Sequence, residues 1–229
     1  MTKVYALMAG AMVISGLFAY VFGTDLKALI NGQPTAIIPE GMLAAMYGSP
    51  LRWVLMFAPL IFIFGFGATM HRLSASTAQT VFWVFAAVMG ISIASIFAVF
   101  TGISIAKTFF VTAIAFGGLS IWGYTTKKDL SGWGTFLVMG VIGLIVASLV
   151  NLFLQSEAIQ FAVSALGVLI FAGLTAYDTQ NIKNTYLHMR TSPDGQAWLD
   201  HAAISGALSL YLNFLNMFMF LLQFMGDRE

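Results

Sequence analysis

Seven nearly continuous apolar stretches, each about 20 residues long, dominate this chain. They cover residues 4–22, 51–70, 80–100, 105–124, 133–154, 158–177 and 202–225. At a rise of about 1.5 Å per residue, each stretch forms a helix of roughly 30 Å, which matches the hydrocarbon core of a bilayer. A membrane strand is about 10 residues long and alternates polar with apolar side chains, so this pattern favours helices over a barrel. The sequence therefore predicts an all-α membrane protein, a seven-transmembrane-helix bundle.

The scarcity of charge supports the same class. Charged residues make up only 8% of the chain, against roughly 25% in a soluble domain. So few polar side chains cannot cover a water-facing surface, and much of the apolar surface must face the lipid bilayer. The two longest connections, residues 23–50 and 178–201, are too short for a second domain. We therefore expect residues 1–229 to form one integral membrane domain.

Several classes of function lack their sequence signals. The chain has no Cys, which excludes disulfides and thiolate metal sites. It contains no nucleophile elbow, phosphate-binding loop or His-Glu zinc motif. A net charge of +1 without a basic run argues against nucleic acid as a partner. We expect neither an enzyme nor a protein with a resident cofactor.

Lysine and arginine residues predict the orientation of the bundle. Six fall on the side of the N-terminus and four on the other: Lys3, Arg72, Lys127, Lys128, Lys183 and Arg190 against Lys27, Arg52, Lys107 and Arg228. Because cytoplasmic loops carry the excess of positive charge, we expect the N-terminus in the cytoplasm and the C-terminus outside. The end of the sixth span that carries Asp178 then faces the cytoplasm.

Asp178 joins a membrane-length apolar run directly to a polar cluster, within the string AGLTAYDTQNIK. An ionisable group at the edge of hydrocarbon is costly unless it is hydrated, paired or protonated, so it indicates a functional site. In the alternative interpretation, Asp178 is a hydrated residue that ends its helix at the membrane surface. Asn213 and Asn216, at an i, i+3 spacing in the last span, are either polar groups of the same site or interhelical hydrogen-bonding groups.

Two stretches of the sequence carry a family resemblance. They are IAKTFFVTAIAFGGLSIWGYTTKKDLSGWGTF, and AGLTAYDTQNIK followed by GALSLYLNFLNMFMFLLQ. Together they resemble the Bax inhibitor-1 family, also called the YccA-like or transmembrane Bax inhibitor motif family, from about Ser49 onward. The resemblance implies a seven-helix bundle with the last helix central, in the bacterial inner (plasma) membrane.

The resemblance implies two different functions. Some bacterial members are pH-sensitive calcium leak channels, and the YccA-like branch modulates the membrane protease FtsH. We expect a pH-modulated calcium or cation leak, with a non-transporting modulator of FtsH or of another membrane complex as the alternative. The YccA-like modulation is associated with a cytoplasmic N-terminal tail, and only Met1 to Lys3 precede the first span here.

The chain departs from the leak-channel pattern at one position. In those members the Asp of the YDTQ-like motif pairs with an Asp on the last helix, in a string like SLYLDF, whereas this chain has SLYLNF. The first acid corresponds to Asp178 and the second position is Asn213. Those members also carry an Arg at the cytoplasmic end of the second helix that can bond to the pair. In this chain the corresponding residue is either His71 or Arg72. We predict an ion pathway at Asp178, Asn213 and Asn216, closed by Arg72 or His71, in which Asp178 makes only weak, transient contact with calcium.

Overall fold

In a computed structural model, which describes residues 1–69, 73–189 and 195–228, the chain is helical. Nine α-helices follow one another within these residues: α1 Thr2–Ile30, α2 Glu40–Gly48, α3 Leu51–Thr69, α4 Ala75–Ile93, α5 Ile96–Val99, α6 Gly102–Thr125, α7 Ser131–Leu154, α8 Glu157–Met189 and α9 Gly195–Met225. The described residues form no β-strand, and Phe100 and Arg228 make an isolated antiparallel bridge. The all-α prediction is confirmed.

Six helical segments of the described chain are long and apolar enough to cross a membrane: Thr2–Ile30, Ala75–Val99, Gly102–Thr125, Ser131–Leu154, Glu157–Met189 and Trp198–Met225. The predicted span at residues 51–70 corresponds to α3, a helix of 19 residues. The integral membrane class follows from these segments, and the count of seven spans stays a prediction.

The described residues form two compact units. The N-terminal unit contains Thr2–Gly102 and Arg228, and the C-terminal unit contains Met1 and Ile103–Asp227. In the N-terminal unit α1 packs on α4, where a Cβ at Gly90 would lie only 2.5 Å from the carbonyl oxygen of Ser15. The Ser15 hydroxyl donates a 2.7 Å hydrogen bond to the Ala86 carbonyl across the same interface. The absence of a side chain at Gly90 therefore lets the two backbones approach closely.

The C-terminal unit is built around α8, which packs against both α7 and α9. Helices α8 and α9 run antiparallel, since Gln160 contacts Gln223 near one end and Ile182 lies against Gly206 near the other. Between these contacts the rings of Phe171 and Phe220 stack with their centroids 5.9 Å apart. One face of α8 therefore packs against α9 along most of the length of the helix.

Helices α8 and α9 extend past the spans predicted for them. The predicted sixth span ends at Tyr177 and residues 178–201 are a predicted connection, but α8 continues to Met189 and α9 begins at Gly195. Neither Gly nor Pro occurs between Gly173 and Pro193, so nothing breaks the helix where the hydropathy falls. The alternative interpretation, in which Asp178 ends its helix, is therefore wrong.

A similar extension of α1 brings Asp25 into the structure of the connection at residues 31–39. The helix continues eight residues beyond the predicted end at Phe22, and the Asp25 side chain is buried. Its carboxylate accepts hydrogen bonds from the backbone N–H groups of Ala36 at 2.9 Å, Ile37 at 2.8 Å and Ile38 at 2.6 Å. One side chain thus satisfies three consecutive donors of a chain segment without regular structure.

Replacing Asp25 by Ala is expected to lower the free energy of unfolding by about 3 kcal/mol, because three backbone donors lose a charged acceptor. Hydrogen–deuterium exchange in detergent should show faster exchange at the amides of Ala36, Ile37 and Ile38. Thr24→Ala is the matched control, since the Thr24 hydroxyl bonds only within its helix, to the Tyr20 carbonyl at 2.8 Å and more weakly to Val21. Unchanged protection of the three amides in Asp25→Ala would contradict this role.

Candidate functional site

Asp178 lies inside α8 on the face that packs against α9, and its side chain is half-buried. At 1.5 Å per residue it is about 32 Å from the start of the helix at Glu157. That distance is close to the thickness of the hydrocarbon core, about 30 Å. If α8 enters the bilayer near Glu157, Asp178 lies at the opposite edge of the hydrocarbon, with three further helical turns beyond it.

Asn213 is the partner of Asp178. It is buried in α9, and its Nδ2 donates a hydrogen bond of 2.7 Å to the Asp178 Oδ2. The charged acceptor makes this a stronger bond than one between two neutral groups. The structure therefore brings the first two predicted site residues into direct contact, with no bridging water needed.

Asn216 is placed differently from Asn213, one helical turn further along α9. Its Nδ2 donates to the Leu212 carbonyl at 2.8 Å, so the amide bonds within its own helix. The side chain is half-buried. Its predicted role as a neutral oxygen ligand stays a prediction.

His71 and Arg72 lie outside the described residues. Their predicted contact with Asp178 therefore stays a prediction. Among the residues that the structure describes, no group of three or more His, Asp or Glu side chains is arranged to hold a metal ion. Close to Asp178 the donors are one carboxylate and one carboxamide, which suits brief contact with a hard cation and not a closed coordination shell.

The opposite face of α8 carries polar residues that are not among the predicted site residues. Gln180 is buried; its Oε1 accepts from the Leu130 N–H and its Nε2 donates to the Lys128 carbonyl, each at 2.8 Å. The Lys183 ammonium donates to the Tyr124 carbonyl at 2.7 Å, at the end of α6. These bonds fix the connection between α6 and α7 to the helix turn that follows Asp178. The i, i+3 spacing of Gln180 and Lys183, on the face away from Asp178, was the available signal.

Glycine permits a close approach of α6 at the same level of α8. A Cβ at Gly123 would overlap the Ala176 carbonyl oxygen and lie 2.9 Å from its Cα. One turn earlier in α6, Ser120 accepts a 3.4 Å hydrogen bond from the Thr179 hydroxyl. Ala176 and Thr179 flank Asp178 in sequence, so the position of α6 helps to set the position of the carboxylate.

A second polar cluster occupies the other end of the α8–α9 interface. The Gln160 Nε2 donates to the Gln223 Oε1 at 2.8 Å, and the Asn151 Nδ2 donates to the Gln160 Oε1 at 3.4 Å. Along α8 this cluster is about 27 Å from Asp178. The interface therefore has polar contacts at both ends, and the stacked rings of Phe171 and Phe220 between them.

The apolar helices and the carboxylate–carboxamide pair between two of them define a helical integral membrane protein with polar groups inside its span. The whole chain, residues 1–229, matches the family described as inhibitor of apoptosis-promoting Bax1. The protein belongs to the Bax inhibitor-1 family. The match includes the residues before Ser49, which the resemblance did not cover.

The chain is also similar to several bacterial proteins along most of its length. A Caulobacter vibrioides protein is 47% identical over 234 aligned residues, which cover 100% of this chain and 88% of the relative. The Rickettsia prowazekii protein RP147 is 40% identical, with 100% of this chain and 89% of the relative covered. The inner membrane protein YbhL of Escherichia coli is 46% identical over 175 residues, 76% of this chain and 74% of its own length.

Proposed function

We propose that this Bax inhibitor-1 family protein is a pH-modulated leak for calcium or another cation, with Asp178 as the group that permeating ions meet. The observation that carries the proposal is the 2.7 Å hydrogen bond from Asn213 to Asp178 between α8 and α9. The Asn213 amide is neutral, so it does not cancel the negative charge of the Asp178 carboxylate. That charge can still attract a cation. Polar and ionisable residues in such positions commonly mark ion and proton pathways.

The hydrogen bond also has to open before an ion can bind to the Asp178 Oδ2. The Asn213 amide occupies the Asp178 Oδ2, so a cation that approaches this oxygen has to displace the N–H group. Rotation of the amide would then present its Oδ1 to the same ion, which gives a carboxylate and a neutral oxygen as ligands. Two ligands bind calcium weakly, as a leak requires, because an ion that is held tightly does not leave.

Protons compete with cations for the same carboxylate, which would make the flux depend on pH. In the proposed mechanism Arg72 or His71 closes the pathway by contacting Asp178, and Asn216 supplies a further amide oxygen. This chain has one carboxylate where the leak-channel members have two, so the repulsion between two acids that share a proton is absent here.

We also propose that the protein lies in the inner membrane with its N-terminus in the cytoplasm and its C-terminus outside. The name of YbhL as an inner membrane protein supports the location. The distribution of lysine and arginine supports the orientation. The Asp178 end of α8 then faces the cytoplasm.

The second candidate is a modulator of the membrane protease FtsH that does not transport ions. The hydrogen bond from Asn213 to Asp178 supports the modulator as well, because it holds α8 to α9. In that case Asp178 and Asn213 stabilise a surface that a partner recognises. This role requires neither permeation nor a second acid.

Calcium flux from vesicles that contain only this protein and lipid separates the two candidates. The leak predicts dye-reported calcium release that exceeds that of empty vesicles and changes with pH. Co-purification with FtsH in mild detergent is measured in parallel. Capture of the protease without calcium release would overturn the leak and support the modulator.

A further inference from the structure

The N-terminal unit contains a cavity of about 730 Å³ that none of the proposed functions uses. Its walls come from α1, α2, α3, α4 and α5, and its apolar lining includes Leu26, Leu43, Leu55 and Ala98. A volume of this size is typical of sites that hold a small molecule, which range over about 300–1,000 Å³.

Two hydroxyl groups in the cavity wall already have partners within the protein. The Tyr47 hydroxyl donates to the Ile91 carbonyl at 2.7 Å, and the Ser92 hydroxyl donates to the Leu55 carbonyl at 2.6 Å. Burial raises the pKa of Tyr47 to about 12, so this phenol stays neutral. With these donors committed to backbone carbonyls, the cavity suits a hydrocarbon chain better than a polar ligand.

A cation lies where the cavity reaches the surface. Arg52, at the start of α3, lines the cavity with an exposed side chain. Its guanidinium lies 5.3 Å from the centre of the Trp53 ring, which also lines the cavity and is exposed. Tryptophan is enriched at the level of lipid head groups, and a guanidinium matches the geometry of a phosphate. The stacking orients the cation before a ligand arrives.

We propose that this cavity binds one phospholipid, with an acyl chain inside it and an anionic phosphate head group on Arg52. An apolar interior beside a single oriented cation is complementary in charge and polarity to such a lipid. An acyl chain gains little by leaving one hydrocarbon environment for another, because the bilayer is already apolar. The selectivity of the site therefore comes from the head group and from Arg52.

Native mass spectrometry of the purified full chain tests the site, with phosphatidylglycerol and phosphatidylcholine as the two probes. The parent protein should retain phosphatidylglycerol about tenfold more than phosphatidylcholine, because its dissociation constant for phosphatidylglycerol is about tenfold lower. Arg52→Gln should remove this preference. Lys107→Gln is the matched control: it deletes another exposed cation, one that does not line the cavity, and should leave the preference unchanged.

Ala98→Trp tests the acyl chain independently of charge, because the indole would fill part of the cavity. It should reduce retention of phosphatidylglycerol, whereas Ile103→Trp, at a position that is 69% exposed outside the cavity, should not. Equal losses in Arg52→Gln and Lys107→Gln would overturn the proposal, as would full retention in Ala98→Trp. Unchanged elution in size-exclusion chromatography and an unchanged melting temperature verify that each variant is folded.

Discussion

Calcium release from vesicles containing the Asp178→Asn variant is expected to fall about tenfold or more below that of the parent protein. A tenfold change corresponds to about 1.4 kcal/mol. Two unit charges 4 Å apart interact by about 4 kcal/mol at an effective dielectric constant of 20. Loss of the one carboxylate at this point of α8 is therefore large enough to produce the effect.

The substitution isolates the charge because it changes little else. Asn has nearly the shape of Asp, and its amide can still bond to Asn213, so the contact between α8 and α9 is retained. A fall in flux together with an unchanged melting temperature would assign the effect to the missing charge. A parallel loss of the pH response is expected, since the titrating group of the proposed site is absent.

Asp129→Asn is the matched control for this experiment. Asp129 is an exposed acid in the connection between α6 and α7, which is predicted to lie on the same side of the membrane. Hydrogen bonds from the Ser131 side chain and backbone N–H hold the pKa of Asp129 below its usual range. An Asn there can still accept the hydrogen bond from the Ser131 N–H. Equal flux in Asp178→Asn and in the parent would remove Asp178 from the mechanism.

Gly123→Ala is expected to lower the free energy of unfolding by about 3 kcal/mol, as much as Asp25→Ala. The added methyl group meets the Ala176 backbone and not a side chain that could rotate away, so the cost lies at the upper end for overpacking. Either α6 moves outward or the α8 turn before Asp178 shifts. Thermal unfolding in detergent and the amount of protein in the membrane fraction measure the effect.

Gly118→Ala in the same helix is the control for Gly123→Ala. A Cβ at Gly118 meets no atom within 4 Å, and Ala favours a helix over Gly by about 1 kcal/mol. This variant should therefore be as stable as the parent or slightly more stable. Similar melting temperatures for the two alanine variants would show that the approach of α6 to Ala176 carries no energetic weight.

Hydropathy predicted most of the fold because a bilayer imposes one requirement on every segment that crosses it. A helix in hydrocarbon satisfies its own backbone, so an apolar run of the right length identifies both the element and its environment. The ends of α8 and α9 escaped prediction because a helix can continue into water wherever neither Gly nor Pro stops it. Hydropathy detects the boundary of the hydrocarbon and not the end of the hydrogen-bond ladder.

The candidate site was predictable only in part. A family resemblance directed attention to Asp178 and Asn213, and the structure places the two side chains in contact. Gln180 and Asp25 were not selected, since each bonds to the backbone of a segment that is distant in sequence. Whether such a backbone group lies within reach depends on how its connection folds. The type of the side chain alone does not predict that fold.

In the proposed leak, the unbroken course of α8 through the level of Asp178 limits which groups could discriminate between ions. In many transporters a helix unwinds at the substrate, and its bare main-chain oxygens coordinate the ion. The turns of α8 on both sides of Asp178 remain helical, so their carbonyls are engaged in the ladder. Any preference among cations then depends on a few side chains, which single substitutions can change. Natural selection or a protein engineer could retune that preference one codon at a time without rebuilding the backbone.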